Sequence, residues 1–257
     1  MLPFGLDSQL ILITLVTARI GGFVITSPFP GQSLPDKAKI TLVLALGVPV
    51  ALGLPAVSLP VELDAAMLLA AGLEVLLGAM VGFCFRLFLA AADYLAVMVA
   101  QVSWLSVPTS MSVDGGGQSQ ALAQVAALLA LLLALGVGAH RIVLAYLLAS
   151  FDALPVGSPL ALAAGTPVLL DLGGRALDVG LRLAVPVFAI SLGVQAGLAM
   201  VARIAPSLQI FNVGFAVLVA TGVVTFGQSL RSVAVGLVSF YGTAPDLLDD
   251  LFTRVAR

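Results

Sequence analysis

The sequence predicts an all-α membrane protein, and three observations carry that prediction. Of its 257 residues 61% are hydrophobic and 9% charged, whereas soluble domains run at about 45–50% apolar and about 25% charged. With a mean hydropathy of +1.18, much of the surface must face lipid or other apolar protein. The apolar residues also form continuous runs near the roughly 20 residues that a helix needs to cross the hydrocarbon core. Finally, those runs are rich in Ala and Leu and lack the alternation of barrel strands, and an isolated strand would leave its backbone unsatisfied in lipid.

The runs and their punctuation define the elements in order. Leu10–Thr26 is the first expected helix, stopped by Ser27-Pro28-Phe29-Pro30-Gly31, since proline restricts its predecessor and breaks the donor ladder. Met1 to Ser8 carries no Lys or Arg, so this run reads as a retained segment rather than a cleaved signal. Ile40–Val57 follows and closes at Leu59-Pro60-Val61-Glu62. Ala65–Ala92 comes next, then a polar interruption from Ser106 to Ser119 whose Gly115-Gly116-Gly117 frees the backbone for positive φ. Leu122–Leu148 ends before the turn Leu154-Pro155-Val156-Gly157-Ser158-Pro159. Val179–Val201 and Ile210–Phe226 complete the set. A short amphipathic helix is expected at the tail, with Asp246, Asp249 and Asp250 ahead of Arg254 and Arg257. Lys37 and Lys39 give a weak positive-inside signal for orientation.

Catalytic chemistry is not visible. Cys84 stands alone in an apolar run and reads as a small buried hydrophobe. The one histidine, His140, has no Cys or carboxylate partner for a zinc site and no third group to orient a nucleophile. It reads as a cap near a helix C-terminus. No phosphate loop, dinucleotide fingerprint or hydrolase elbow is present. No cofactor or metal is expected, and a net charge of -2 without a basic cluster gives no case for nucleic acid.

Charges inside the apolar runs are the sharper feature. Arg19, Glu74, Arg86, Asp93, Arg182 and Arg203 each cost about 2.5–3.5 kcal/mol at the centre of an inserted helix, so each needs protein or water around it and a partner. Interhelical or intersubunit pairing is preferred to a proton relay, because the titratable groups are sparse and spread over different segments. Small-xxx-small pairs at Ala18–Gly22, Gly78–Gly82 and Gly193–Gly197 predict close helix packing within or between subunits.

Three stretches together resemble the FliR family, called SctT in injectisomes. One is Ala18-Arg19-Ile20-Gly21-Gly22-Phe23 running into Ser27-Pro28-Phe29-Pro30-Gly31, Leu34-Pro35 and Lys37-Ala38-Lys39-Ile40. Another is Glu74-x-x-x-Gly78-x-x-x-Gly82-Phe83, followed by the loop from Leu105-Ser106 through Thr109 to Gln118-Ser119. The last is Arg203-Ile204-Ala205-Pro206-Ser207-Leu208-Gln209-Ile210-Phe211, continuing to Val213-Gly214-Phe215. His140 with Ser150-Phe151-x-x-Leu154-Pro155-x-Gly157 is also similar to family members. The chain departs from the family pattern at Ser112-Val113-Asp114-Gly115, at Ser207 and at Gln209.

The resemblance implies a fold of long bent helices and hairpins, with residues 1–178 similar to a FliP-type subunit and 179–257 to a FliQ-type one. It implies a non-enzymatic subunit of the inner-membrane export gate of a flagellar type III secretion system, at the flagellar basal body. Expected partners are FliP-type and FliQ-type subunits, an FlhB-type switch protein and unfolded export substrates. Within the loop 106–119, Ser106, Val107, Pro108, Thr109, Met111, Asp114, Gly115, Gly116 and Gly117 would contribute to the channel plug, Val107 and Met111 as its apolar seal. Arg19, Glu74, Arg86, Arg203 and Gln209 are expected in polar contacts between helices or subunits. Gly22, Gly78, Gly82, Gly193 and Gly197 are expected in helix packing. A secondary transporter or permease subunit is the alternative, and it would call for paired inverted repeats with a midplane ion site; Pro186 and Pro206 offer breaks without a matching half.

Overall fold

The computed structural model describes residues 6–28, 35–54, 65–102, 128, 131–132, 135–136, 138–157, 161–204 and 210–256. Seven helices are described: α1 Leu6–Thr26, α2 Asp36–Gly53, α3 Ala65–Val102, α4 Ala139–Ala153, α5 Leu162–Ile204, α6 Ile210–Tyr241 and α7 Ala244–Val255. No strand occurs among the described residues. Four stretches, Gln9–Thr26, Met67–Val102, Leu162–Ile204 and Ala216–Val255, are long and apolar enough to cross a membrane. This is an all-α membrane protein.

Local chemistry explains the boundaries. Asp36 opens α2 in its first turn, where a carboxylate meets the positive end of the helix dipole. Pro49 lies within α2 and removes one ladder bond. α2 stops at Gly53, just ahead of the residue that Pro55 forces out of the helical region. In α7, proline stands in the opening turn with Asp246, and Arg254 lies in the last and pairs with Asp250 at 2.9 Å. Its apolar face, including Leu248 and Leu251, is fully buried.

Several helices differ from the sequence expectation. The run Leu122–Leu148 is not one helix: Gly138 takes φ 80° in the left-handed region and α4 begins immediately after it. His140 therefore sits in the first turn of α4, not at a helix C-terminus, and the described part of the earlier run is limited to a few residues. α3 extends to Val102, ten positions beyond the expected Ala92. The expected Val179–Val201 is the second half of a 43-residue helix. At about 1.5 Å per residue, α5 is roughly 65 Å long, about twice the ~30 Å hydrocarbon core. Its extra length carries Asp178, which pairs at 2.8 Å with Arg182 of the expected run, both in exposed positions.

Contacts separate the chain into two compact units: Met1–Phe88, Gly138–Leu172 and Thr243–Arg257 in one, Leu89–Val137 and Gly173–Gly242 in the other, over their described residues. The first unit packs α1 against α2 and α4 against α7. Tyr146 of α4 meets Phe252 of α7 with ring centroids 6.0 Å apart, and Gly165 leaves room for Leu251 and Val255. In the second unit, the backbone of Gly180 lies against Ala91 and Leu95, and Gly236 against Leu183. Gln195 donates to the Val102 carbonyl at 3.1 Å. The boundary expected at 178/179 falls within α5, inside this second unit.

Candidate functional site: a buried arginine clamp

Arg19 is a cation past the midpoint of the largely apolar helix α1, and in the structure it is wholly buried. A guanidinium in that position has five donors and no water, so its partners decide whether the fold tolerates it. Arg19 Nε donates to Glu74 Oε2 of α3 at 2.6 Å. Nη1 donates to the Ser150 carbonyl at 2.8 Å and to Ser150 Oγ at 3.1 Å, and Nη2 to the Leu154 carbonyl at 3.0 Å. The Phe151 ring centroid lies 4.4 Å from Cζ, a cation–π distance. Glu74 is 1% exposed and its second oxygen accepts from the Gly157 N–H at 2.9 Å.

This constellation joins α1, α3, the C-terminus of α4 and the turn that follows. The Ser150 carbonyl, which also accepts from the Leu154 N–H at 2.9 Å, and the Leu154 carbonyl lie at the C-terminal end of α4, where the helix dipole favours a cation. Gly157 adopts φ 76°, a conformation that glycine takes without steric cost, and it thereby points its N–H at the carboxylate. The tie is electrostatic, and every guanidinium nitrogen and both carboxylate oxygens have a hydrogen-bond partner, as a buried pair requires.

Close helix approach brings the two charges together. A Cβ at Gly78 would fall on the Arg19 carbonyl oxygen, and one at Gly22 on the Val75 carbonyl oxygen. At Gly82 it would collide with Thr26 Oγ1 and lie 2.7 Å from the Phe23 carbonyl oxygen. Thr26 Oγ1 donates across the same seam to the Ala79 carbonyl at 3.1 Å. The α1–α3 seam is thus backbone on backbone, which small residues permit in apolar surroundings.

The remaining predicted residues fall elsewhere. Arg86 and Arg203 are exposed and have no ion-pair partner among the described residues. Gly193 and Gly197 are exposed, with nothing within 4 Å of a Cβ built on either. Gln209 and every plug residue, Ser106, Val107, Pro108, Thr109, Met111, Asp114 and Gly115 to Gly117, lie outside the described residues. Sequence reasoning singled out Ser150, Phe151, Leu154 and Gly157 only as part of a family-like stretch, without their role as partners of the pair. Among the described residues no group of His, Cys, Asp and Glu could hold a metal ion.

Comparison with known proteins places the chain. Residues 10–241 match the family described as bacterial export proteins, family 1. A flagellar biosynthetic protein FliR of Pectobacterium carotovorum is 28% identical over 239 residues, covering 93% of this chain and 91% of its own length. Its counterpart in Caulobacter vibrioides is 26% identical over 233 residues, 90% of this chain and 93% of that protein. The one in Escherichia coli K12 is 26% identical over 238 residues, covering 92% and 91%. With the match running through α1, the clamp and the whole of α6, the chain belongs to the bacterial export proteins, family 1, the family of FliR.

Proposed function

We propose that this chain is a subunit of the inner-membrane export gate of a flagellar type III secretion system, and that it helps form the channel and plug for unfolded substrate proteins. The observation that carries this reading is the family match spanning residues 10–241. Exposed apolar surface supports it. Only 17% of the Leu162–Ile204 span is buried within the chain, and 28% of Ala216–Val255, so these helices have surface to offer to lipid or to other subunits.

In this reading residues 1–178 form the FliP-like part and 179–257 the FliQ-like part. FliP-type and FliQ-type subunits and an FlhB-type switch protein are the partners, at the flagellar basal body. Arg86 and Arg203, exposed on helices α3 and α5, meet carboxylates or carbonyls of neighbouring subunits, and Gln209 makes a further polar contact. Gly193 and Gly197 admit a neighbouring helix at close range. Arg19 and Glu74 hold the subunit's own frame. The loop 106–119 seals the channel. Irregular backbone at membrane depth persists where it lines protein or a cavity, and a constriction lined by Val107 and Met111 resists wetting.

Deleting Gly115–Gly117 tests the plug. Raised ion leakage or loss of export is the expected outcome; normal export across an ion-tight membrane refutes it.

A further inference from the structure

A groove of about 370 Å³ runs between α1 and α2. Ala18, Gly21 and Val24 form one wall and Ile40, Val43 and Leu44 the other. Two threonines also line it, yet their hydroxyls are spent on their own helix: Thr14 Oγ1 donates to the Leu10 carbonyl at 2.8 Å and Thr17 Oγ1 to the Ile13 carbonyl at 2.7 Å. Neither threonine hydroxyl is therefore free to donate into the groove. Its rim is apolar too, with Ile25 73% and Ile40 60% exposed.

One end is cationic. Lys39 lines the groove, its side chain 28% exposed, and its Nζ lies 3.7 Å from Asp36, whose side chain is 95% exposed. So solvated a pair is worth little. Lys37, one turn of α2 away from Thr41 and exposed, has no ion-pair partner among the described residues. A long apolar slot lined at one end by the weakly paired Lys39, with the exposed Lys37 in the same first turns of α2, complements a molecule with an apolar chain and an anionic head.

We infer that the α1–α2 groove binds an anionic glycerophospholipid of the surrounding membrane, its acyl chain along Ala18, Gly21, Ile40 and Val43 and its phosphate at Lys39 and Lys37. Basic pockets between membrane helices take anionic headgroups in this manner, and a lysine stem can line the apolar slot while its ammonium reaches the headgroup level. A neighbouring apolar helix is a poorer occupant, because it would desolvate the Lys39 ammonium and leave it only Asp36 at 3.7 Å, a contact that is weak even in water. The inference rests on membrane residence and on this hairpin alone, and it stands or falls separately from the gate reading.

The test is lipid retention by the full chain, purified in neutral detergent and exposed to mixed micelles of phosphatidylglycerol or phosphatidylcholine, with bound lipid counted by native mass spectrometry. One phosphatidylglycerol per chain should persist in preference to phosphatidylcholine. Each lysine near an anionic headgroup contributes about fivefold, less what Asp36 offsets, so Lys37→Gln with Lys39→Gln should lower the preference on the order of tenfold. Gly21→Leu leaves both lysines in place and sends a side chain into the slot. Its Cβ would meet only Val43 Cγ1, at 3.8 Å, so the helices have room for it, and it should abolish retention of the single lipid. Should that variant lose its helical circular dichroism, Ile40→Gln at the exposed rim replaces it with the same expectation. Equal retention of the two lipids overturns the inference. So does retention unchanged by the slot variant, which would mean general attraction of headgroups to lysine.

Discussion

Replacing Arg19 by methionine strips its ion-pair partner from a carboxylate that is 1% exposed. Glu74 would keep its bond from the Gly157 N–H, while the Leu154 carbonyl and Ser150 Oγ would lose a donor. Breaking one side of a buried pair costs about 3–5 kcal/mol, because an uncompensated charge stays behind. Glu74→Leu alone leaves the guanidinium with three acceptors and no counter-charge, a loss of similar size. Removing both together takes away the charge problem and leaves a few backbone groups under-bonded, at about 1–3 kcal/mol each when unsatisfied. The double variant should therefore be at least as stable as either single one, with a coupling energy of roughly 3 kcal/mol or more. Unfolding of the detergent-solubilised chain by SDS titration, followed by far-UV circular dichroism, measures all three. A double variant whose loss equals the sum of the two single losses would refute the clamp as a coupled unit.

Two further outcomes follow from the geometry. Gly78→Ala should destabilise the isolated chain by more than about 2 kcal/mol, because a Cβ there meets fixed backbone rather than a flexible side chain; Gly193→Ala, at an open position, should stay within about 0.5 kcal/mol of the parent in the same titration. The Tyr146 phenol is held above its ordinary 10.0 by burial first, then by its hydrogen bond to Asp249 and the charges of Asp249 and Asp246. A raised folded-state value means that the neutral phenol favours the fold: its contribution is complete below pH 10 and is lost as pH rises through the raised value. Ultraviolet titration of tyrosinate in the parent and in Tyr146→Phe should show one phenol fewer in the alkaline branch above pH 10, and a missing phenol that titrates at or below 10 would contradict the assignment.

Much of the frame was legible because membrane helices obey few rules. Apolar run length located all the long helices, and Arg19 and Glu74 stood out as charges that hydrocarbon would not tolerate alone. Their meeting was not legible, since the bond to Ser150 spans 131 positions and that from Gly157 to Glu74 spans 83. Spacing flagged Gly78–Gly82 and Gly193–Gly197 alike, yet only the first pair is pressed against another backbone in this chain. Periodicity gives the stripe and not its occupant. The length of α5 was under-read because Asp171, Arg175 and Asp178 look like an interruption to hydropathy; Asp178 pairs with Arg182 at i,i+4 on an exposed face, and the helix runs on. Gly138 looked like one more small residue in an apolar run, and its left-handed φ moved His140 from the end of one helix to the start of another.

Membership in a multi-subunit gate is the central claim, and co-isolation tests it most directly. The chain, tagged and expressed with FliP-type and FliQ-type proteins from the same source, should be recovered in one stable complex with both, and Arg203→Leu should reduce that recovery while leaving the stability of the isolated chain unchanged. Recovery of the parent chain alone, or as a small homo-oligomer with neither partner, would contradict the account.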